Sequence, residues 1–294
     1  MLYIGTSRHL EELDEGYTLA LDAAVTAIAT SASGSSYVLL DGERVARINQ
    51  LDVSPIAELS GRRAQSMALT ARSEILLGLE GASLALLSGE GELSALSSFD
   101  HLPGREGWEN PGGPTPDLRS LATVGDLWYA AVHVGGLWRS ADRGASWTAV
   151  VEAAADVHEV AVSENGTVAV AAAGGFGWST DGGDSWQWTT AGLHAPYARA
   201  VALSGETAYL SASTGPRTSD GRLYRAQLGE PFSQCGGELF SSFPFNLETG
   251  TLAAASNEVA FGTSSGLAFR SSDRGVSWQQ VASEMRRVSF LRFA

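Results

Sequence analysis

The chain has no lysine: all 19 of its basic residues are arginine, set against 33 acids in 294 residues. Schiff-base chemistry and a lysine general base are therefore excluded. The formal charge of −14 excludes a general nucleic-acid or anionic-membrane binder, because such binding is driven by basic surface. Cysteine is almost absent too, and with Cys235 alone no intramolecular disulfide framework exists. Apolar runs stay well short of the ~18 residues a membrane span needs. The N-terminus has no basic stretch leading into an apolar one, so a cytoplasmic protein without a membrane partner is expected. No segment keeps a 3.6-residue apolar period, which argues against a helical core. A P-loop, a Gly-x-Ser-x-Gly elbow and a dinucleotide fingerprint are all missing.

What is present is repetition. Ser140-Ala-Asp142-Arg-Gly144-Ala-Ser-Trp147, Ser179-Thr-Asp181-Gly-Gly183-Asp-Ser-Trp186 and Ser271-Ser-Asp273-Arg-Gly275-Val-Ser-Trp278 share the pattern Ser-x-Asp-x-Gly-x-x-Trp. Asp accepts bonds from turn N–H groups, Gly supplies a positive φ, and Trp packs between neighbouring sheets. Around these turns the chain repeats pairs of short β-branched or small-residue strands, such as 25–30 with 37–40 and 120–124 with 127–132, separated by Gly or Asn-Gly signals. Six such units leave one strand over at each terminus. An all-β, seven-bladed β-propeller follows, its last blade closed by the N- and C-terminal strands, which leaves no sheet edge open. The blades are expected at about 24–57, 58–102, 117–152, 156–193, 197–235, 245–285, and 286–294 with 1–20, all in one domain.

Three stretches exceed a tight turn: 103–116, 214–222 and 230–246. In a propeller, blade-to-blade links and second-to-third-strand loops share a face, so all three are expected on one side, opposite the Asp-containing turns. Long loops inside a compact domain are commonly functional. Aligning the innermost strands by their turns brings Arg119, His158, Arg199 and Arg286 into register at the channel mouth, with Thr26, Gln65 and Gly250 from the other units. Guanidinium forks match carboxylate, phosphate or sulfate bidentately. The alternative is that the arginines pair with Asp117, Asp156, Glu159 and Glu248 and plug the channel. A one-residue slip would reverse every side chain.

Just outside lie His133, His194 and Tyr197. His133, His158 and His194, with a carboxylate such as Asp156, are a donor set that suits zinc or iron. No His-x-x-x-His spacing supports it, so no metal is assigned. His158 beside Asp156 or Glu159 has the makings of a general base oriented by a carboxylate, with His194 or Tyr197 as further catalytic candidates. The ligand-binding candidates are Arg119, Arg199, Arg286, His133 and Glu248.

The repeated motif resembles the Asp-box, or bacterial neuraminidase (BNR), repeat of sialidase-like propellers. That resemblance implies a structural turn joining third and outer strands, away from the ligand face. From Asp117 to Trp278 the chain also resembles uncharacterised bacterial BNR-repeat proteins, on Val134-Gly-Gly-Leu-Trp-Arg-Ser, Asp156-Val-His158, Gly192-Leu-His-Ala-Pro-Tyr197-Ala-Arg199-Ala-Val and Ser211-Ala-Ser-Thr-Gly-Pro216. The sialidase Phe-Arg-Ile/Leu-Pro motif has no match, and photosystem assembly factors and secreted glycosidases use such blades as well. The leading expectation is binding of a small anionic or sugar-like ligand at the channel mouth. The alternatives are a hydrolase or lyase on the same Arg/His site, and a protein-interaction scaffold presenting Trp108, Tyr197, Phe232, Phe243 and Phe245.

Overall fold

The computed structural model describes residues 1–31, 34–49, 52–236, 240–283 and 285–294. They form seven four-stranded antiparallel sheets arranged as the blades of a propeller. Six sheets are built from consecutive strands. The seventh takes its innermost strand, Val288–Phe293, from the C-terminus and its other three, Leu2–Thr6, His9–Glu12 and Tyr17–Ala20, from the N-terminus. Tyr3 opposite Arg292 and Ile4 opposite Leu291 set the closing register. Only one short α-helix, Ser97–Asp100, occurs among the described residues, and no helix there is long and apolar enough to cross a membrane.

Second strands are mostly apolar and buried because both faces pack against neighbouring blades. Val168–Ala172 and Ile75–Leu79 are buried at every position. Larger side chains fill the wider gaps between blades: Phe99 packs on Trp147 (5.0 Å) and Trp108 (5.7 Å), and Phe261 stacks on Phe269 (4.9 Å).

The three Ser-x-Asp-x-Gly-x-x-Trp turns share one hydrogen-bond scheme, and each joins a third strand to an outermost one. In the first, the Ser140 hydroxyl donates to Asp142 Oδ1 (2.9 Å) and accepts from the Gly144 N–H (2.7 Å), while Asp142 Oδ1 also accepts the Ser146 N–H (2.8 Å). Asp181 and Asp273 do the same. The residue before the glycine is left-handed as well, so Arg143 (φ 60°) and Arg274 (φ 59°) accept a conformation that the aspartate bonds stabilise.

One irregularity positions the site. In six of the seven sheets the innermost strand carries a register shift within its first residues, at Thr26, Gln65, Arg119, His158, Arg199–Ala200 and Ser289. Such a bulge twists the strand and re-aims the extra side chain. The next residue then reaches a neighbouring blade. The Ser66 hydroxyl donates to the Leu118 carbonyl (2.6 Å), Ser120 accepts the Val160 N–H (3.2 Å), and Glu159 accepts the Val201 N–H (2.9 Å).

Strand direction puts the starts of the innermost strands, the blade-to-blade links and the second-to-third-strand loops on one face, with the Asp-containing turns on the other. The stretches 103–116 and 214–222 lie on the mouth face. The stretch 230–246 does so only in part. Ser233–Gln234 pairs with Tyr224 and Arg225 as the outermost strand of its blade, so residues before it form a turn rather than a blade-to-blade link. Residues 237–239 of that stretch lie outside the described residues.

Candidate functional site

At the mouth, the sequence His133, Asp156, His158, Tyr197 brings four polar side chains from three adjacent blades together. His133 follows the second strand Leu127–Val132, and its N–H donates to the Asp117 carbonyl (3.1 Å). Asp156 takes a left-handed φ of 48° immediately ahead of the strand Val157–Val162. His158 is fully buried; its Nδ1–H donates to the Ala198 carbonyl at 2.6 Å, leaving Nε2 as an acceptor for the Tyr197 hydroxyl at 3.2 Å. Asp156 Oδ2 stands 3.5 Å from His158 Nε2, and Oδ1 stands 3.6 Å from His133 Nε2.

Arg119 closes the ring: its Nη1 donates to His133 Nε2 at 2.8 Å, which places the His133 proton on Nδ1, facing Asp117 Oδ1 at 3.4 Å. Burial pushes the Asp156 carboxyl up. The neighbouring polar groups, Arg119 among them, more than offset this, so it ends below the ordinary carboxylate value. Burial and then the charge of Arg199 lower the Arg119 pKa, partly countered by Asp117 and Glu248. Arg199 is committed differently, with its Nη1 2.5 Å from Glu248 Oε2.

Below the mouth runs a central cavity of about 450 Å³, with Thr26, Gln65, Asp117, Arg119 and Thr249 at its mouth and Glu159 and Arg292 deeper in the wall. Arg292 is exposed to this cavity. Among the described residues neither Arg119 nor Arg292 has an ion-pair partner within 4.0 Å. Enclosure by the channel wall desolvates the guanidinium and lowers the Arg292 pKa, with Glu159 opposing. Glu159 accepts N–H bonds from Val201 (2.9 Å) and Gly250 (2.8 Å), yet burial outweighs these and lifts its carboxyl to about 8.

The sequence-derived candidates divide accordingly. Arg119, His133 and His158 touch or adjoin one another, with Tyr197 on His158; Arg199 and Glu248 form an ion pair beside them. His194 does not join them: its ring bonds the Tyr224 hydroxyl (2.8 Å) and the Asp220 carbonyl (3.1 Å) within its own blade. The three-histidine set is therefore not assembled, and Asp156 stands where the third histidine was expected. Arg286 is exposed in the coil before the last strand. The bulge that corresponds to Arg119 and His158 falls on Ser289, three residues later. Arg292 went unnoticed in the sequence, although it lies two residues past Phe290 on a strand known to be innermost, and period-two alternation carries it to the channel wall. Of the expected aromatic patch, Trp108, Phe232 and Phe243 are buried in inter-blade packing, and Tyr197 and Phe245 are only partly exposed.

No family model and no curated protein matches the chain. Solved structures do. The YCF48 protein bound to a D1 peptide aligns with a TM-score of 0.60 at 15% identity, over 88% of this chain and 82% of that one. A GH74 enzyme of Niastella koreensis gives 0.63 at 18% over 89% of this chain, which spans only 45% of the enzyme. Virginiamycin B lyase of Staphylococcus aureus gives 0.64 at 10%, over 90% and 86%. What these neighbours share with the chain is the fold: it is a seven-bladed β-propeller closed by its own two ends.

Proposed function

We propose that the chain binds a small anionic ligand, a carboxylate, phosphate or sulfate or a sugar bearing one, in the central cavity entered from the mouth. The observation that carries this is the pair Arg119 and Arg292, two guanidinium groups without ion-pair partners among the described residues, lining one cavity of a chain with net charge −14. Confinement away from bulk water strengthens guanidinium–oxyanion pairing. The cavity volume of about 450 Å³ falls in the range of small-ligand sites, about 300–1,000 Å³. Thr26, Gln65 and Thr249 supply hydrogen-bonding groups at the mouth for ligand hydroxyls.

Within this proposal the three Ser-x-Asp turns are BNR-type, structural, and remote from the ligand. The neighbours include a GH74 enzyme, a lyase and a protein bound to a peptide, and at such low identity they contribute the fold alone. Binding is favoured over turnover because His158 has no exposed surface to offer a substrate and His194 is bonded at both ring nitrogens. The burial of Trp108, Phe232 and Phe243 weighs against a protein scaffold built on them.

Calorimetric titration with phosphate, sulfate, citrate and glucuronate, with neutral glucose as control, tests the proposal. Arg119→Ala and Arg292→Ala should each weaken anion binding at least tenfold. Absence of binding by the unsubstituted chain to every anion, or undiminished binding by both variants, would refute it.

A further inference from the structure

We infer that His133, Asp156 and His158 form a binding site for one divalent transition-metal ion, of which zinc is the probe. One ligand atom from each lies within 4.8 Å of the others. The nearest pairs, 3.5 Å from His158 Nε2 to Asp156 Oδ2 and 3.6 Å from His133 Nε2 to Asp156 Oδ1, use the two oxygens of Asp156 in turn; each is close to the separation of about 3.4 Å between tetrahedral ligands each about 2.1 Å from zinc, so a small rotation or chelation by the carboxylate brings both imidazoles onto one ion. Two imidazoles and a carboxylate are a borderline N,N,O set of the kind that favours zinc or iron over magnesium or calcium.

The surroundings are those of a metal site. A ligating histidine usually donates its other ring N–H to a carbonyl or carboxylate, which fixes tautomer and orientation. His158 gives its Nδ1–H to the Ala198 carbonyl, and the His133 Nδ1–H faces Asp117. Both unprotonated Nε2 atoms thus stand beside the Asp156 carboxylate. Independently, Asp156 Oδ1 is buried with no hydrogen-bond partner, as are His133 Nδ1 and Asp117 Oδ1 beside it. Leaving buried polar atoms unpaired costs about 1–3 kcal/mol each, and Asp156 holds its position through a left-handed backbone besides. An ion bound by Asp156 and the two imidazoles satisfies Oδ1 directly. It also makes the His133 Nδ1–H a stronger donor to Asp117. Arg119, which now occupies the His133 Nε2 lone pair, and the Tyr197 hydroxyl, which occupies that of His158, must both release on binding.

The test uses the full chain, stripped with chelator and dialysed, then titrated calorimetrically with zinc chloride alone. One saturable site per chain is expected. Asp156→Asn and His133→Ala should each weaken it at least tenfold, and Asp117→Asn, behind the ligand, by about 10- to 100-fold. His158 is too deeply buried for its variant to be diagnostic, so folding of the other three is checked by circular dichroism before titration. No saturable zinc binding by the unsubstituted chain, or equal affinity in folded Asp156→Asn and His133→Ala, overturns the inference. Because no phosphate, sulfate or carboxylate is present, either outcome is independent of binding of those ligands in the cavity.

Discussion

Glu159 is the clearest place to test how the channel wall is held. Its two carboxylate oxygens accept backbone N–H groups from two other blades, Val201 at 2.9 Å and Gly250 at 2.8 Å, and the side chain is buried. Glu159→Ala removes both acceptors at once. Each amide left without a partner costs about 1–3 kcal/mol, so the variant should lose about 2–6 kcal/mol. The lower figure applies if a channel water takes over one amide, since Glu159 borders the cavity. Glu159→Gln keeps one oxygen and turns an NH2 group toward the other amide, so it should lose roughly half as much. With an unfolding entropy of about 2.1 cal/mol/K per residue, the chain carries about 0.6 kcal/mol/K, and the alanine variant should melt about 3–10 °C lower. Scanning calorimetry on the three proteins at one pH above 8, where Glu159 is ionised, reads this directly. An alanine variant melting within a degree of the parent, or a glutamine variant melting lower than the alanine one, would refute the idea that this carboxylate clips three blades together.

Two further outcomes follow from packing and burial. Phe99 has no exposed surface and sits among Trp108, Trp138 and Trp147; Phe99→Ala should destabilise the fold by about 3–5 kcal/mol, read from denaturant midpoints, and a loss under 1 kcal/mol would show that the cavity collapses freely. Burial pushes the Cys235 thiol up to about 12, so at pH 8 only about one molecule in ten thousand carries the thiolate that reacts with Ellman's reagent. Labelling should therefore be slow in the folded chain and fast in denaturant; rapid labelling of the native protein would contradict the burial.

Much of the fold was legible because propeller blades are written locally. The strand expected at Val25–Thr30 has those bounds in the structure, and the leftover terminal strands could only pair with each other. The three Ser-x-Asp turns were readable for the same reason: each closes its bonds within eight residues. What the pattern did not reveal was the serine one place before each tryptophan, Ser146, Ser185 and Ser277, whose N–H and hydroxyl complete the aspartate's bonds.

The site was legible only in part. Turn-based alignment put Arg119, His158 and Arg199 at corresponding bulges, but in the terminal blade it chose Arg286 over Ser289 and passed over Arg292. The three histidines lay on neighbouring units, yet nothing local distinguished His194, which bonds within its own blade, from Asp156, which turns toward the other two.

The order of small apolar strands, turn glycines and aspartate turns was enough to determine the sevenfold wheel, since each blade is satisfied mainly by its own hydrogen bonds and its nearest neighbours. Which polar side chains meet at the axis was decided in three dimensions. Bulges, one left-handed aspartate and bonds between residues tens of positions apart set those directions, and a spacing along the chain does not encode an angle about a common channel.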